Sequence, residues 1–239
     1  ADIARLIDIA EAGANVAIPI QDKVPANLQT QDWTSLTMRT RVIYAHNKLN
    51  LNEISYEDLI LPEYKGKVCT RSGFHPYNVS LFSGLIAHHG EEWFEDYIVK
   101  LKANLARKPQ GNDRDQIKAI YAGVCDMSIG NHYYYFKMMD DPNQKVWLDK
   151  VSPIFPNQDS YGSHVNISGI AIINDKNYEA SLDFLEFLLS DEAQEIYAND
   201  NNEFPVNPNV SASERVQALA NNAKFDPIDL QEIASNRKA

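Results

Sequence analysis

The sequence has 239 residues, of which 44% are hydrophobic, and a formal net charge of −11 at pH 7. A chain of this size can bury a substantial core as one large domain or two lobes, and no run approaches the eighteen or so apolar residues of a membrane-spanning helix. Because no basic block offsets the scattered acidic residues, we expect neither nucleic acid nor an anionic membrane as a partner; the charge favours solubility and, weakly, cationic ligands.

Predicted helices and strands alternate along the chain, with helices where apolar residues recur every three or four positions. The predicted helices are 1–13, 79–90, 91–105, 113–121, 178–189 and 191–198, and further helices begin near His132 and Ser211. The predicted strands are 41–46, 67–71, 124–129 and 163–173. This alternation indicates the α/β class, with mainly parallel sheets.

Three consecutive tyrosines, Tyr133, Tyr134 and Tyr135, follow the predicted strand 124–129. Neighbours on a helix diverge by about 100°, so all three rings cannot face one core. At least one phenol is therefore expected to point into a cleft or solvent. The alternative is an aromatic cluster that only seals the end of a helix.

A second strand-to-helix segment repeats part of this pattern. Tyr77 follows Cys69 by the same eight residues that separate Tyr133 from Cys125. If the two strands are near neighbours, one disulfide could join them while their tyrosines converge at the carboxyl ends, where α/β sheets bind ligands. We predict this disulfide, which suits an oxidising compartment such as the periplasm; two buried free thiols are the alternative.

Converging phenols indicate a particular chemistry. Phenolates are hard anionic donors, and several of them would select the hard ferric ion over softer metals. A free tyrosine has a pKa near 10, so its deprotonation at neutral pH needs the field of the cation. No nucleophile elbow, HExxH, P-loop or dinucleotide fingerprint occurs in the sequence, so an enzyme is the weakest interpretation.

Four runs of the sequence are informative together: CTRSG at 69–73, HPYN at 75–78, GNHYY at 130–134 and VNISG at 165–169. They resemble periplasmic ferric-ion-binding proteins, the soluble receptors that hand Fe³⁺ to ABC importers. The segments 184–190 and 202–206 resemble the closing helices and tail of the same family. The resemblance covers essentially the whole chain. Family members, however, have some tens of residues before the position that matches Ala1. In several of them this preceding segment supplies a histidine or tyrosine ligand. We therefore expect a processed chain or a fragment with an incomplete first lobe.

The resemblance implies a two-lobed, type II periplasmic-binding-protein fold with hinge strands near 41–46 and 163–173. The first lobe would comprise residues 1–46 and 164–239, and the central lobe residues 47–163. It also implies that the central lobe supplies the iron ligands, that iron lies between the lobes, and that the lobes close on it. Those ligands would be Tyr77, Tyr133 and Tyr134.

Family members often complete the coordination of iron with a small anion such as carbonate. The glycine turn before the second predicted helix offers a cradle for an anion, and nearby arginines could balance its charge. A structural ion pair is the alternative for each arginine, and the two histidines are expected to support the ligand turns. These supporting candidates are Ser72, Gly73, Arg39, Arg41, Arg71, His75 and His132.

The same resemblance implies a monomeric bacterial periplasmic protein whose partner is an ABC permease in the inner membrane. A receptor of the same fold for an organic cation, such as a polyamine or thiamine, is the main rival, because aromatic clefts attract cations. A phenolate-to-iron colour would separate the two.

Overall fold

The structure is a computed structural model that describes all residues from Ala1 to Ala239. It contains nine α-helices and six β-strands. The helices are α1 (Ile3–Glu11), α2 (Pro76–His89), α3 (Glu91–Asn104), α4 (Asp113–Tyr121), α5 (Tyr133–Met139), α6 (Tyr178–Leu188), α7 (Asp191–Asn199), α8 (Glu214–Ala220) and α9 (Leu230–Ser235). The strands are β1 (Thr34–His46), β2 (Val68–Cys69), β3 (Met127–Asn131), β4 (Val151–Ile154), β5 (Val165–Ile170) and β6 (Phe204–Pro205). None of the helices combines the length and the apolar character that crossing a bilayer requires.

The chain folds into two compact units, each assembled from separate stretches of sequence. The first unit consists of Ala1–Arg39, Asn166–Asn221 and Ile228–Arg237. The second unit consists of Thr40–Val165, Asn222–Pro227 and Lys238–Ala239. The units differ from the predicted lobes chiefly at 40–46 and 222–227, which belong to the second unit, and the lobe division itself stays a prediction.

The carboxyl half of β1 lies at the centre of the sheet of the second unit. β3 and β4 run antiparallel to it, and β2 pairs parallel with β3. In the first unit, β6 also pairs antiparallel with β1. The α/β class is confirmed, but the prediction of mainly parallel sheets is wrong. Alternating strands and helices predict parallel pairing only for strands that a helical crossover joins, and β2 and β3 are such a pair. The neighbours of β1 are not joined to it by a single crossover, and they pair with it in the antiparallel direction.

The core of the second unit joins this sheet to α2 and α3. Ile43 of β1 and Met127 of β3 are fully buried in one cluster with Leu81 of α2 and Tyr97 of α3. This packing fixes α2 against the sheet, and with it the turn that precedes α2. The first unit has its own core, formed by residues that include Ile3, Leu6, Trp33, Ile167, Leu185 and Ile233.

The predicted helices are confirmed with small shifts at their ends, whereas the strands differ more in length. β1 begins at Thr34 rather than at Arg41, and its first half carries several buried polar residues, of which Ser35, Thr37 and Thr40 have partners for their hydroxyls. Ser35 Oγ donates to the carbonyl of Leu28 at 2.6 Å, and Thr40 Oγ1 donates to the carbonyl of His164 at 2.8 Å. A hydrophobic pattern cannot reveal such a strand, since its polar groups find partners only in the folded chain.

Candidate functional site

Two strand-to-helix turns of the second unit carry the predicted tyrosines. Tyr77 lies in the first turn of α2, where His75 caps the helix and Pro76 takes an early position that suits its fixed φ. Tyr133 and Tyr134 are the first two residues of α5, which begins almost directly after β3. Because β2 and β3 are parallel neighbours, α2 and α5 begin beyond the same edge of the sheet.

The three phenol groups converge. Tyr133 Oη lies 3.3 Å from Tyr77 Oη. The ring centroids of Tyr133 and Tyr134 are 4.5 Å apart, and the phenols of Tyr77 and Tyr133 both affect the pKa of Tyr134. Tyr135 packs its ring edge-on against Phe136, with centroids 5.9 Å apart. Three phenol oxygens are thus close enough together to act on one small cation.

Burial raises the pKa of both Tyr133 and Tyr134. For Tyr133, the phenols of Tyr134 and Tyr77 raise the pKa further, whereas a hydrogen bond from Asn131 lowers it. Both phenols therefore carry their protons at neutral pH when no cation is present, since even an unperturbed tyrosine has a pKa of about 10.

A buried charged network lies next to the phenols. Arg41 is only 2% exposed and donates from Nη1 to Asp113 Oδ2 at 2.9 Å and to Asn131 Oδ1 at 2.9 Å. Its Nη2 donates to Asn78 Oδ1 at 2.7 Å. Arg71 Nη1 binds the other oxygen of Asp113 at 2.9 Å. Two guanidinium groups share one carboxylate, so the network carries a net positive charge beside the phenols.

Asp113 is the charged residue of this network that the sequence analysis did not identify as part of the site; Asn78 and Asn131 were not identified either. Asp113 is the first residue of α4, between the two capping-box residues Asn112 and Asp115, and its side chain is fully buried. Its Oδ2 also accepts the backbone N–H of Asn131 at 2.8 Å. The available signal was Arg41 itself, because a buried arginine in a predicted strand requires an acidic partner.

Cations lie over the rings of all three tyrosines. The guanidinium carbon of Arg71 is 5.1 Å from the ring centroid of Tyr77. Arg114 lies 5.7 Å from the ring of Tyr134, and Lys137 Nζ lies 5.4 Å from the ring of Tyr133. Such cations favour electron-rich rings and therefore phenolates over phenols. They also occupy ring faces that an organic cation would use.

Cys69 and Cys125 form a disulfide, which is the pairing that the sequence analysis predicted. Cys69 is the last residue of β2, and Cys125 lies two residues before β3. The bond therefore ties the two neighbouring strands together below the turns that carry the tyrosines.

The other predicted supporting residues have local partners. His75 Nδ1 accepts the backbone N–H of Tyr77 at 3.2 Å, and His132 Nδ1 accepts that of Thr40 at 3.3 Å. Each histidine thus contacts the backbone, and their supporting role beside the ligands stays a prediction. Arg39 lies in the first unit and donates to Ser168 Oγ at 2.5 Å.

Ser72 and Gly73 belong to an exposed part of the turn before α2. Ser72 Oγ accepts the N–H of Phe74 at 3.3 Å, and Phe74 is 95% exposed. A Cβ added at Gly73 would meet only Phe82, at 3.8 Å, so space does not require glycine there. The anion cradle stays a prediction. The chain has no group of three or more His, Cys, Asp or Glu side chains that could hold a metal ion.

Known proteins resemble this chain over nearly its whole length. Iron uptake protein A2 of Synechocystis is 39% identical over 223 residues, which cover 90% of this chain and 64% of that protein. The chain thus spans less than two thirds of this curated relative. The apo ferric ion-binding protein A of Pasteurella haemolytica aligns with a TM-score of 0.94 and 42% identity, over 99% of this chain and 77% of that one.

A second solved structure, from Trichodesmium, was determined in complex with iron and citrate ligands. It aligns with a TM-score of 0.90 and 34% identity, over 99% of this chain and 78% of that one. The sequence profile described as bacterial extracellular solute-binding protein matches residues 12–236. This match begins directly after α1 and extends past the end of α9, and the chain belongs to the family of bacterial extracellular solute-binding proteins.

Proposed function

We propose that this protein binds ferric iron through the phenolate oxygens of Tyr77, Tyr133 and Tyr134 and delivers it to an ABC importer. The observation that carries this proposal is the convergence of the three phenols in the second unit, with 3.3 Å between the oxygens of Tyr133 and Tyr77. Phenolates are hard donors that match the hard, trivalent ferric ion. The relatives named for iron uptake and ferric binding support the same cargo.

The charges around the phenols fit a trivalent cation held by anionic oxygens. Three phenolates balance Fe³⁺, and the network of Arg41, Arg71 and Asp113 adds one net positive charge. One further small anion would offset the positive charge of this network. Carbonate is the anion expected from the resemblance, and the Trichodesmium structure, determined in complex with iron and citrate, contains a different anion of oxygen donors. The exposed Ser72 turn and Arg71 are the groups of the second unit that we propose for it.

Proton competition follows from the raised pKa values. Because Tyr133 and Tyr134 are protonated in the absence of metal, binding must release protons. Ferric affinity is therefore expected to fall as the pH is lowered. The protein would hold iron near neutral pH and yield it more readily in acid.

The family supports a transport role rather than turnover of a substrate. We infer a monomeric protein of the bacterial periplasm whose partner is the permease of an inner-membrane ABC transporter, in keeping with an extracellular solute-binding protein that contains a disulfide. Closure of the lobes around iron stays a prediction. An organic cation is disfavoured as the ligand, because Arg71, Arg114 and Lys137 already lie over the tyrosine rings.

The test is a metal analysis of protein purified without added metal, paired with a visible spectrum. We expect about one iron per chain after loading with ferric citrate, and a phenolate-to-iron charge-transfer band that a ferric chelator abolishes. Zn²⁺ should produce no such band. Protein that neither retains iron nor develops the band would contradict the proposal.

A further inference from the structure

Asn131, the last residue of β3, has a side chain that connects the charged network to a phenol. Its Oδ1 accepts from Arg41 at 2.9 Å, and its Nδ2 donates to Tyr133 Oη at 3.1 Å. The residue is 1% exposed.

The orientation of this amide is fixed by its partners. A guanidinium can only donate hydrogen bonds, so the atom of Asn131 that faces Arg41 must be the oxygen. The NH₂ group must then face Tyr133, and the Tyr133 oxygen must accept a hydrogen bond from it. Arg41 is held in turn by Asp113 and Asn78, so the amide cannot turn over without breaking a buried network.

The backbone of Asn131 is fixed as well. Its N–H donates to Asp113 Oδ2 at 2.8 Å, and its carbonyl accepts the hydroxyl of Tyr44. The side chain of Tyr44 lies so close to Gly130 that a Cβ there would be 2.2 Å from a ring carbon. The amide therefore projects from a rigid point.

We propose that Asn131 is a positioning residue for the ferric ion: its amide holds the oxygen of Tyr133 by a hydrogen bond and aims the remaining lone pairs toward Tyr77 and Tyr134. This inference rests on the proposed function. A phenol oxygen that accepts one fixed hydrogen bond is already in place before iron arrives, which reduces the conformational cost of binding. The bond also withdraws electron density from the bound phenolate and so raises the energy of its charge-transfer transition.

The experiment replaces this donor in the full-length protein. Asn131→Asp keeps the shape and can still accept from Arg41, but an ionised carboxylate cannot donate to Tyr133. Asn131→Ala removes both contacts. We expect ferric affinity to fall by about 10- to 100-fold in both variants, as is typical when a partner of a metal ligand is lost. The visible band should move to longer wavelength, which a role only in folding would not cause.

Asn104→Asp is the matched control, because it alters another buried asparagine of the second unit. The Asn104 amide donates to the carbonyls of Leu59 and Leu61 at 2.9 and 2.8 Å, and not to a phenol. This variant should lower the melting temperature but leave the position of the visible band unchanged. A band shift in the control equal to that in the Asn131 variants would overturn the inference.

The remaining outcomes are also decisive. If wild-type protein shows the band, and both Asn131 variants bind with the same affinity and the same band, the positioning role is wrong while the proposed function stands. If wild-type protein shows no band with ferric iron, both fail together. Should neither variant fold, resonance Raman spectra of the wild-type iron complex in H₂O and D₂O replace them. A phenolate mode that is absent from Tyr133→Phe should then shift in D₂O, and no shift would contradict the hydrogen bond.

Discussion

The two turns that carry the tyrosines reach similar positions by different means. The Tyr77 turn, residues 70–76, is long and partly exposed, and it is organised locally by the cap of His75 and by Pro76. The Tyr133 turn, residues 130–132, consists of the end of β3 and His132; it is short and buried, and distant partners hold it. Each tyrosine follows its cysteine by eight residues. Local hydrogen bonds and proline geometry position Tyr77, whereas contacts with residues distant in the sequence position Tyr133.

The largest expected effect comes from removing two oxygens from the Tyr133 side of the site. Phe in place of Tyr133 and Tyr134 keeps the rings and nearly the same volume, so the fold should survive. We expect the double variant to lose the visible band and more than about 100-fold in ferric affinity, which exceeds the usual cost of losing a supporting residue. Tyr77→Phe, which alters the other turn, should also weaken binding. Iron titrations followed by visible absorption measure both, and a double variant that retains iron would refute the site.

The next effect concerns the bond that joins the two strands. Replacing Cys69 and Cys125 together by serine should lower the free energy of unfolding by about 4 kcal/mol, because the disulfide closes a loop of 56 residues in the unfolded chain. Urea denaturation of the variant and of oxidised wild-type protein gives the difference. A change below about 1 kcal/mol would mean that packing alone keeps the strands in register.

A matched pair of glycine variants compares the two turns directly. Gly130→Ala would place a Cβ 2.2 Å from Tyr44, so we expect a loss of about 1 to 3 kcal/mol in stability. Gly73→Ala meets only Phe82, at 3.8 Å, and should change stability by less than about 0.5 kcal/mol. Thermal unfolding of the iron-free proteins measures both. Equal losses in the two variants would remove the distinction between a buried and a locally organised turn.

The smallest effect is expected at Tyr135, the third tyrosine of the run. Its ring packs against Phe136, and its phenol is not one of the three that converge. Tyr135→Phe should therefore change ferric affinity by no more than about twofold, which corresponds to less than 0.5 kcal/mol. Loss of the visible band in this variant would show that the ligand set has been assigned to the wrong tyrosines.

Much of the candidate site was predictable from local signals. The start of α4 at Asp113 follows an asparagine cap, and the start of α5 at Tyr133 follows a strand-to-helix turn. Gly130 and the two cysteines indicate where the strands lie. The buried partners were not predictable in the same way. Acidic residues are common in the first turn of a helix, whether they are buried or exposed, so the sequence does not indicate that Asp113 is buried.

The sequence by itself determined the α/β class, most helix boundaries and the equal spacing of cysteine and tyrosine in two segments, because these depend on residues only a few positions apart. Tertiary structure alone decided the antiparallel pairing around β1, its polar first half, and the network that surrounds the phenols. Arg41 meets Asp113 and Asn131 across separations of 72 and 90 residues. A buried charge takes its partner from whichever segments the packed core brings beside it, and no local pattern along the chain encodes that choice.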